Sequence, residues 1–343
     1  MNKRRSTRKK RDTAALRTGR RRRMVAIFLL LSLASAGAIL AQRLGAFSQS
    51  SRKKAAGSQQ NVAITPASFD SPSKEYIYAG GKLIATEEPQ SSNPPPSPGA
   101  STPGLYAPSG QGFFLRNSNT TGSADVSFNY PTPAPGWIPI SGDWNHDGID
   151  TVGLYDQAAG KFYLKNLSST GDAEVQFFFG PAGLTWIPLA GDWDHDGTDT
   201  VGLYNPATGG FFLRNSNSTG VADVTFSFGP AGLGWVPLAG DWDHDGTDTV
   251  GLYNPATGGF FLRNSITTGA ADITFIYGPG GLGWKPLAGD WNGDGTDTVG
   301  LYNPATGGFF LRNSNSTGIA DVQLIFGPGG LGWIPMAGDW DGL

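Results

Sequence analysis

Residues 191–204 read GDWDHDGTDTVGLY, in which four aspartates and two glycines precede the apolar run TVGLY. The tryptophan of this segment returns every 49 residues without insertion, at Trp144, Trp193, Trp242, Trp291 and Trp340. A second tryptophan keeps the same step, at Trp137, Trp186, Trp235, Trp284 and Trp333. All ten tryptophans therefore belong to an internal repeat. Self-similarity at such a period is the signature of a solenoid or a propeller.

Each repeat unit contains four strand-like runs separated by turn signals. In one unit the runs are TVGLYN (200–205), GFFLRNS (210–216), ADVTFSFG (222–229) and WVPLAGDW (235–242). Between them lie NPATGG, NSTG and GPAGLG, which are Pro, Asn and Gly turns of hairpin length. Apolar residues do not recur at helical spacing. Four short antiparallel strands repeated every roughly 40–50 residues predict the blades of a β-propeller.

The two ends of the repeat region complement each other. The first unit begins at Gly104 and lacks a WxPxAGDW strand, and residues 332–340 supply one more such strand at the C-terminal end. The sequence therefore predicts an all-β fold, a five-bladed propeller over 104–343, in which the last strand completes the first blade. Such closure removes exposed sheet edges. An open fragment of a larger array is the alternative.

The first hundred residues have a different composition. Residues 1–23 hold 12 Lys/Arg and one Asp, and predict a basic cytoplasmic tail. Residues 24–41 carry no charge, and as a helix they would be about 27 Å long, close to the roughly 30 Å of a bilayer core. This segment is either a transmembrane signal-anchor or a signal peptide cleaved after Ala34-Ser35-Ala36. Either alternative places the repeats outside the cytoplasm.

A flexible Pro/Ser-rich linker is predicted over 42–103, with a possible hairpin at 74–88 around Gly80-Gly81. The repeat region that follows carries 7 Lys/Arg and 23 Asp/Glu, a net charge of -16. A surface this acidic repels phosphate, so nucleic acid is not an expected partner. The chain has no cysteine, which excludes disulfides and thiolate metal sites.

The acidic loops place oxygen-bearing side chains at loop positions 1, 3, 5 and 8, with glycine at position 6. In chain order these side chains are Asp143, Asn145, Asp147 and Asp150; Asp192, Asp194, Asp196 and Asp199; Asp241, Asp243, Asp245 and Asp248; and Asp290, Asn292, Asp294 and Asp297. Alternate positions of a tight turn can converge on one centre, and hard oxygen ligands select Ca²⁺ over transition metals. About four calcium ions are therefore expected. The alternative is that Asp and Gly only form a β-turn.

The GDWDxDGxDTVGLY pattern resembles the FG-GAP/VCBS repeats of integrin-type calcium-loop propellers, in the bacterial variety that repeats GDW. In that family the loop binds calcium through side chains at positions 1, 3, 5 and 9 and a carbonyl at position 7. This chain matches at positions 1, 3 and 5 but has Asp at 8 and Thr at 9, the latter at Thr151, Thr200, Thr249 and Thr298. The resemblance covers 104–343 and implies an extracellular binding module.

No residue set predicts catalysis. Each unit repeats the same residue types, whereas an enzyme needs a locally asymmetric constellation. The three histidines, His146, His195 and His244, stand at loop position 4, where the fourth loop has Gly293. We therefore expect an exported, membrane-tethered, non-catalytic adhesion or ligand-binding module for an extracellular protein or glycan. The alternatives are a glycan-binding lectin with pockets repeated between blades, where the tryptophan at the start of each WxPxAGDW strand could stack on sugars, and a purely structural or assembly protein.

Overall fold

The computed structural model describes residues 99–130 and 136–343, together with the backbone of two short strands upstream. These two strands, Glu75–Ala79 and Lys82–Glu87, pair antiparallel within the segment for which the sequence favours a hairpin. No helix occurs in the described part of the chain, and so none there could cross a membrane. The basic tail and the apolar segment 24–41 lie outside the described residues.

The described residues from Thr102 onward form five antiparallel four-stranded sheets. We name each sheet a blade and order its strands as inner, second, third and outer. Blade 1 contains Ile334–Gly338, Thr102–Ala107, Gly112–Leu115 and Val126–Asn129; blade 2 contains Ile138–Gly142, Thr151–Asp156, Lys161–Leu164 and Val175–Phe178; blade 3 contains Ile187–Gly191, Thr200–Asn205, Gly210–Leu213 and Val224–Ser227; blade 4 contains Val236–Gly240, Thr249–Asn254, Gly259–Leu262 and Ile273–Ile276; blade 5 contains Lys285–Gly289, Thr298–Asn303, Gly308–Leu311 and Val322–Ile325.

The inner strands form a closed ring, because each contacts the inner strand of the next blade and the inner strand of blade 5 contacts that of blade 1. The C-terminal strand 334–338 pairs with residues 102–106, with Ile334 opposite Tyr106 and Gly338 opposite Thr102. The predicted five-bladed propeller, completed by the last strand of the chain, is confirmed. The second strand of blade 1 begins at Thr102, two residues before the predicted boundary at Gly104.

The core lies between blades. Each second strand of blades 2 to 5 is buried along TVGLY, on both faces of its sheet. On one side of blade 3, Tyr204 and Phe226 flank Phe211, with ring centroids 4.7 and 5.3 Å from it. These rings share a cluster with Val250 and Leu252 of blade 4. Five such clusters occur, one at each blade–blade interface. The ring is therefore stabilised by burial between blades.

The blades present two different ends. The acidic loops join inner to second strands at one end, which also carries the loops between third and outer strands; we name it the acidic face. The hairpin turns between second and third strands lie at the opposite end. The connections between blades bond to these turns, as when Gly232 N donates to Pro206 O at 2.8 Å. We name this end the leucine face, for the residues Leu184, Leu233, Leu282 and Leu331 in those connections.

Candidate metal centre

The acidic loops bring together the side chains at positions 1, 3 and 5. Carboxylate oxygens of Asp192, Asp194 and Asp196 all lie within 4.8 Å of one another, as do those of Asp241, Asp243 and Asp245. The first and fourth loops have asparagine at position 3, and it donates to the position 5 carboxylate at 2.9 Å, from Asn145 to Asp147 and from Asn292 to Asp294. Side chains at positions 3 and 5 are solvent-exposed, except that of Asn292, which is partly buried.

Backbone amides hold the position 1 and position 5 carboxylates in these loops. Asp192 accepts from Asp196 N at 3.0 Å and from Gly197 N at 2.7 Å, and Asp196 accepts from Thr198 N at 2.9 Å. Equivalent bonds to Asp143, Asp241 and Asp290 repeat the pattern in the other three loops. The first oxygen set is therefore fixed by the loop itself, whatever else binds there.

Position 4 lies in the left-handed region of backbone space, where glycine is favoured and histidine is found more often than most other residues. The φ angles are 59°, 58° and 61° at His146, His195 and His244, and 68° at Gly293. Each imidazole packs over the position 6 glycine of the next loop, as His146 does over Gly197. The glycine has φ of 85° and leaves no room for a Cβ beside the ring. The histidines thus connect neighbouring loops.

The position 8 carboxylates point to the neighbouring blade rather than into their own loop cluster. Asp199 accepts from the amide of Asp143 at 2.8 Å, while its own amide donates to Asp143 O at 2.9 Å. The same two-bond pair joins Asp248 to Asp192, Asp297 to Asp241 and Asp150 to Asp339. Position 8 therefore links each loop to the preceding one. Direct ligation of calcium from this position stays a prediction.

The fifth loop is assembled from the two ends of the ring. Ser101 occupies position 8 of this loop, since its amide donates to Asp290 O at 2.7 Å and its Oγ accepts from Asp290 N at 3.1 Å. Gly99, with φ of 79°, takes the place of the position 6 glycine and donates to Leu343 O. Sequence reasoning missed this half-loop, although GASTPGLY (99–106) matches GTDTVGLY (197–204) at five of eight positions, namely at both glycines and at Thr, Leu and Tyr.

Burial dominates the electrostatics of position 8. Burial raises the pKa of Asp199 and of Asp297 to about 7, against the hydrogen bond that each accepts from a backbone amide. The negative charges of neighbouring loop aspartates raise both values further. Burial and the charge of Asp199 also raise the pKa of Asp150 and of Asp248 well above the ordinary range. These four carboxylates lie at four of the five blade junctions on the acidic face, and negative charge on one disfavours ionisation of another.

Replacing Asp199 by asparagine is expected to stabilise the metal-free ring at pH 8. A carboxyl with a raised folded-state pKa contributes stability below its unfolded pKa, and that contribution is lost as pH rises from about 4 to about 7. The asparagine side chain keeps an acceptor for Asp143 N without the charge. Because one pKa unit corresponds to about 1.4 kcal/mol and solvent reaches part of the group, we expect a gain of about 1–3 kcal/mol at pH 8 and little change at pH 4. Urea unfolding in chelator measures it.

Asp156→Asn is the matched control for that substitution. Asp156 caps a hairpin turn on the leucine face through Ala158 N at 2.9 Å, and blades 3 to 5 have asparagine in the same place. The control measures the effect of an Asp-to-Asn change in a turn where other blades already have asparagine. Parallel pH profiles for the parent and Asp199→Asn would show that Asp199 is not a source of the loss.

The oxygen chemistry of the loops fits a hard cation such as calcium. The side chain of Asn215 hydrogen-bonds to Asp194, and that of Asn264 to Asp243. The Oδ1 atoms of both asparagines are buried without a hydrogen-bond partner in the protein. Partial desolvation and the negative charges of the neighbouring loop aspartates raise the pKa of Asp194 and of Asp243. Oxygen-only donor sets select calcium or magnesium.

The tryptophans of the inner strands stack on a ring from the third strand of their own blade. Trp235 lies 4.6 Å from Phe261, and the equivalent stacks in the other blades measure 4.5 to 4.7 Å. All five indoles are half-buried. The central channel has a volume of about 190 Å³ and is lined by Pro, Leu, Ile, Met, Ala and Ser, without a titratable side chain.

Comparison with known proteins gives little further guidance. No protein-family model and no curated protein sequence matches the chain. A crystal structure of BBS1N in complex with ARL6DN, soaked with mercury, is 8% identical with a TM-score of 0.31, over 55% of this chain and 56% of that chain. The same complex soaked with lead is 11% identical with a TM-score of 0.34, over 73% and 75%. Matches at this level carry no argument about function.

Proposed function

We propose that this protein is a calcium-stabilised propeller that serves outside the cytoplasm as a non-catalytic binding module. The observation that carries the proposal is the repeated cluster of loop oxygens, in which Asp192, Asp194 and Asp196 converge within 4.8 Å and a second loop repeats them. Charges of one sign at such distances repel unless a cation lies among them. Calcium would be held by positions 1, 3 and 5, with the carbonyl at position 7 and water as further ligands.

The metal would act as a structural element. Extracellular calcium modules have Kd values on the order of 0.1–1 mM, so a 0.1 mM site adds roughly 1.4 kcal/mol at about 1 mM calcium. Four such sites together would contribute about 6 kcal/mol, which is comparable with the stability of many domains. Because position 8 joins each loop to its neighbour, ordering one loop also supports the next blade.

The N-terminal sequence supports a location at the cell surface. The basic tail at 1–23 and the apolar segment 24–41 match a signal-anchor or a signal peptide. The linker that begins at residue 42 would then tether the ring to the membrane or, after cleavage, leave it secreted. Glycan binding is the second candidate function, because the five tryptophans are half-buried and exposed indole faces stack on sugars. Loss of glycan binding in Trp235→Ala, at unchanged stability, would favour this second function.

Thermal unfolding of residues 72–343 tests the proposal. This segment is one compact unit that contains every strand of the ring. With calcium at about 1 mM, the melting temperature should rise by about 10 °C or more over that in chelator, since about 1 kcal/mol corresponds to 2–4 °C at this chain length. Tryptophan fluorescence reports the transition. Magnesium at the same concentration should give a much smaller rise, because it tolerates only octahedral geometry.

Two double variants locate the effect. Asp196→Ala with Asp245→Ala removes position 5 from two loops and should abolish about half of the calcium-dependent rise. Asp194→Asn with Asp243→Asn reproduces the natural asparagine of Asn145 and Asn292, and should keep most of it. A melting temperature of the parent that does not respond to calcium would reduce the loops to turns and remove this proposal.

A further inference from the structure

The leucine face carries four leucines that no part of the described chain covers. Leu184, Leu233, Leu282 and Leu331 are 48%, 65%, 65% and 64% exposed. Each belongs to the connection between one blade and the next, so the four are spaced around the central channel. Proline, at residue 135, takes this place in the first unit of the sequence. The exposed leucine thus recurs at the same place in four of the five connections, as a repeated feature of this face.

The loops that present these leucines are held by hydrogen bonds. In blade 3, Gly232 has φ of 74°, and its amide donates to Pro206 O at 2.8 Å. Gly183, Gly281 and Gly330, which precede the other three leucines, bond to the adjoining hairpin turns at 2.7 to 2.8 Å. Backbone hydrogen bonds therefore hold the connections in place, and the leucines are exposed in ordered loops.

The leucine face also carries half-buried tryptophans and two lysines. Each connection ends at the stacked tryptophan of the next inner strand, two residues after the leucine, as in Leu282-Gly283-Trp284. Lys285 follows directly at the exposed start of its strand. Lys161 lies at the same end of blade 2, with its Nζ 4.5 Å from the centre of the Tyr163 ring. Apolar tips, indoles and lysines together are the composition of surfaces that bind the interface of a bilayer.

Charge is separated between the two faces. Of the 23 acidic residues in 104–343, only Asp156 lies on the leucine face, and it is accompanied by Lys161 and Lys285. The other 22 lie on the acidic face with five basic residues. The leucine face is thus near neutral and slightly basic, whereas the opposite face is strongly acidic. The negative charge of lipid phosphates would therefore repel the acidic face but not the leucine face.

We propose that the leucine face docks on a lipid bilayer, with the four leucines entering the headgroup boundary. The near-neutral leucine face, with its tryptophans and two lysines, matches a phospholipid surface. The apolar segment 24–41 would keep the ring near such a surface. The orientation leaves the acidic loops facing away from the membrane, toward solvent and any soluble ligand. Membrane contact goes beyond the proposed function and does not depend on the loops binding calcium.

Vesicle flotation of residues 72–343 tests this docking, because that segment lacks 24–41 and retains the whole ring. Vesicles of phosphatidylcholine, and of phosphatidylcholine with a minor share of phosphatidylserine, are used in calcium and in chelator. Burying one leucine changes a partition coefficient by about tenfold, so Leu233→Ser with Leu282→Ser should lower binding by a factor of about 10 or more. Melting temperatures verify that the exposed substitutions leave the fold intact.

Val221→Ser with Ile319→Ser is the matched control. Both residues are 82% exposed, and they lie on the acidic face. This variant should bind vesicles within about twofold of the parent. No flotation of the parent at about 1 mM lipid, or equal loss in both double variants, would overturn the docking. So would a parent that self-associates in sedimentation and loses that association in the leucine variant, because a second copy would then be the occupant.

Discussion

A chain that ends at Trp333 is expected to lose the closed ring and to melt at least about 10 °C below the parent. The deletion removes the inner strand of blade 1, which pairs with 102–106 through five residue pairs. It also removes Met336 and Trp340, both 4% exposed in the parent. Losing two large core side chains costs more than about 5 kcal/mol, or at least about 10 °C at this size. Calorimetry or tryptophan fluorescence measures the melt.

Two chains control for the deletion. A chain ending at Trp340 keeps the strand and the indole, whose Nε1 donates to Thr102 O at 3.1 Å, and should melt within a few degrees of the parent. A permuted chain, in which 334–343 is joined directly in front of Gly99, should fold to the same ring, since Leu343 O already accepts from Gly99 N. Equal melting of the chain ending at Trp333 and the parent would contradict closure by this strand.

The repeat period made the ring predictable from the sequence. Identical spacing of ten tryptophans, with no insertion, together with the complementary ends, favoured a ring closed by the last strand over an open fragment of a larger array. The half-loop at 99–102 was not predicted, because serine replaces aspartate at position 8 and proline replaces valine at residue 103. What connects it to the repeats is backbone geometry, namely a glycine with positive φ and the Ser101 bonds to Asp290.

The loop chemistry was predictable in part. Convergence of positions 1, 3 and 5 follows from their alternation in a tight turn, and the structure places those oxygens together. The placement of Asp199 against Asp143 could not be read from spacing, because it depends on how far the next blade rotates about the ring axis. For the same reason the packing of His146 on Gly197 has no signature in the sequence of one loop.

Arg263→Ala is expected to lower the free energy of unfolding by about 2–4 kcal/mol. The Arg263 side chain is 10% exposed. Its guanidinium donates to Ala270 O, to Ser265 Oγ at 2.8 Å and to Thr267 Oγ1 at 2.7 Å. The substitution leaves these acceptors without their donor at the base of the loop. Urea unfolding of the variant and parent in calcium measures the difference.

Arg263→Lys is the control that the chain itself offers. Blade 2 has Lys165 in this place, where its Nζ donates to Gly171 O at 3.3 Å and Asp172 O at 3.1 Å. A lysine can therefore satisfy the loop carbonyls, although it lacks the fork of donors that reaches two hydroxyls. We expect Arg263→Lys to retain at least half of the stability lost in Arg263→Ala. Equal losses in the two variants would mean that only the planar fork supports this loop.

Arg263→Ala should also weaken calcium binding, but only at the loop that contains Asp243. The backbone N–H of Asn264, next to Arg263, donates to the Asp272 carboxylate at 2.9 Å. The Asn264 side chain hydrogen-bonds to Asp243 at position 3. Asp272 is also the ion-pair partner of Arg263 at 3.5 Å. Losing Arg263 therefore weakens the support of Asp243. The other all-aspartate loop, 192–199, keeps Arg214 and Asn215. Calorimetric titration of Arg263→Ala should show one weakened site among about four, and uniform weakening of all sites would instead indicate global loosening of the ring.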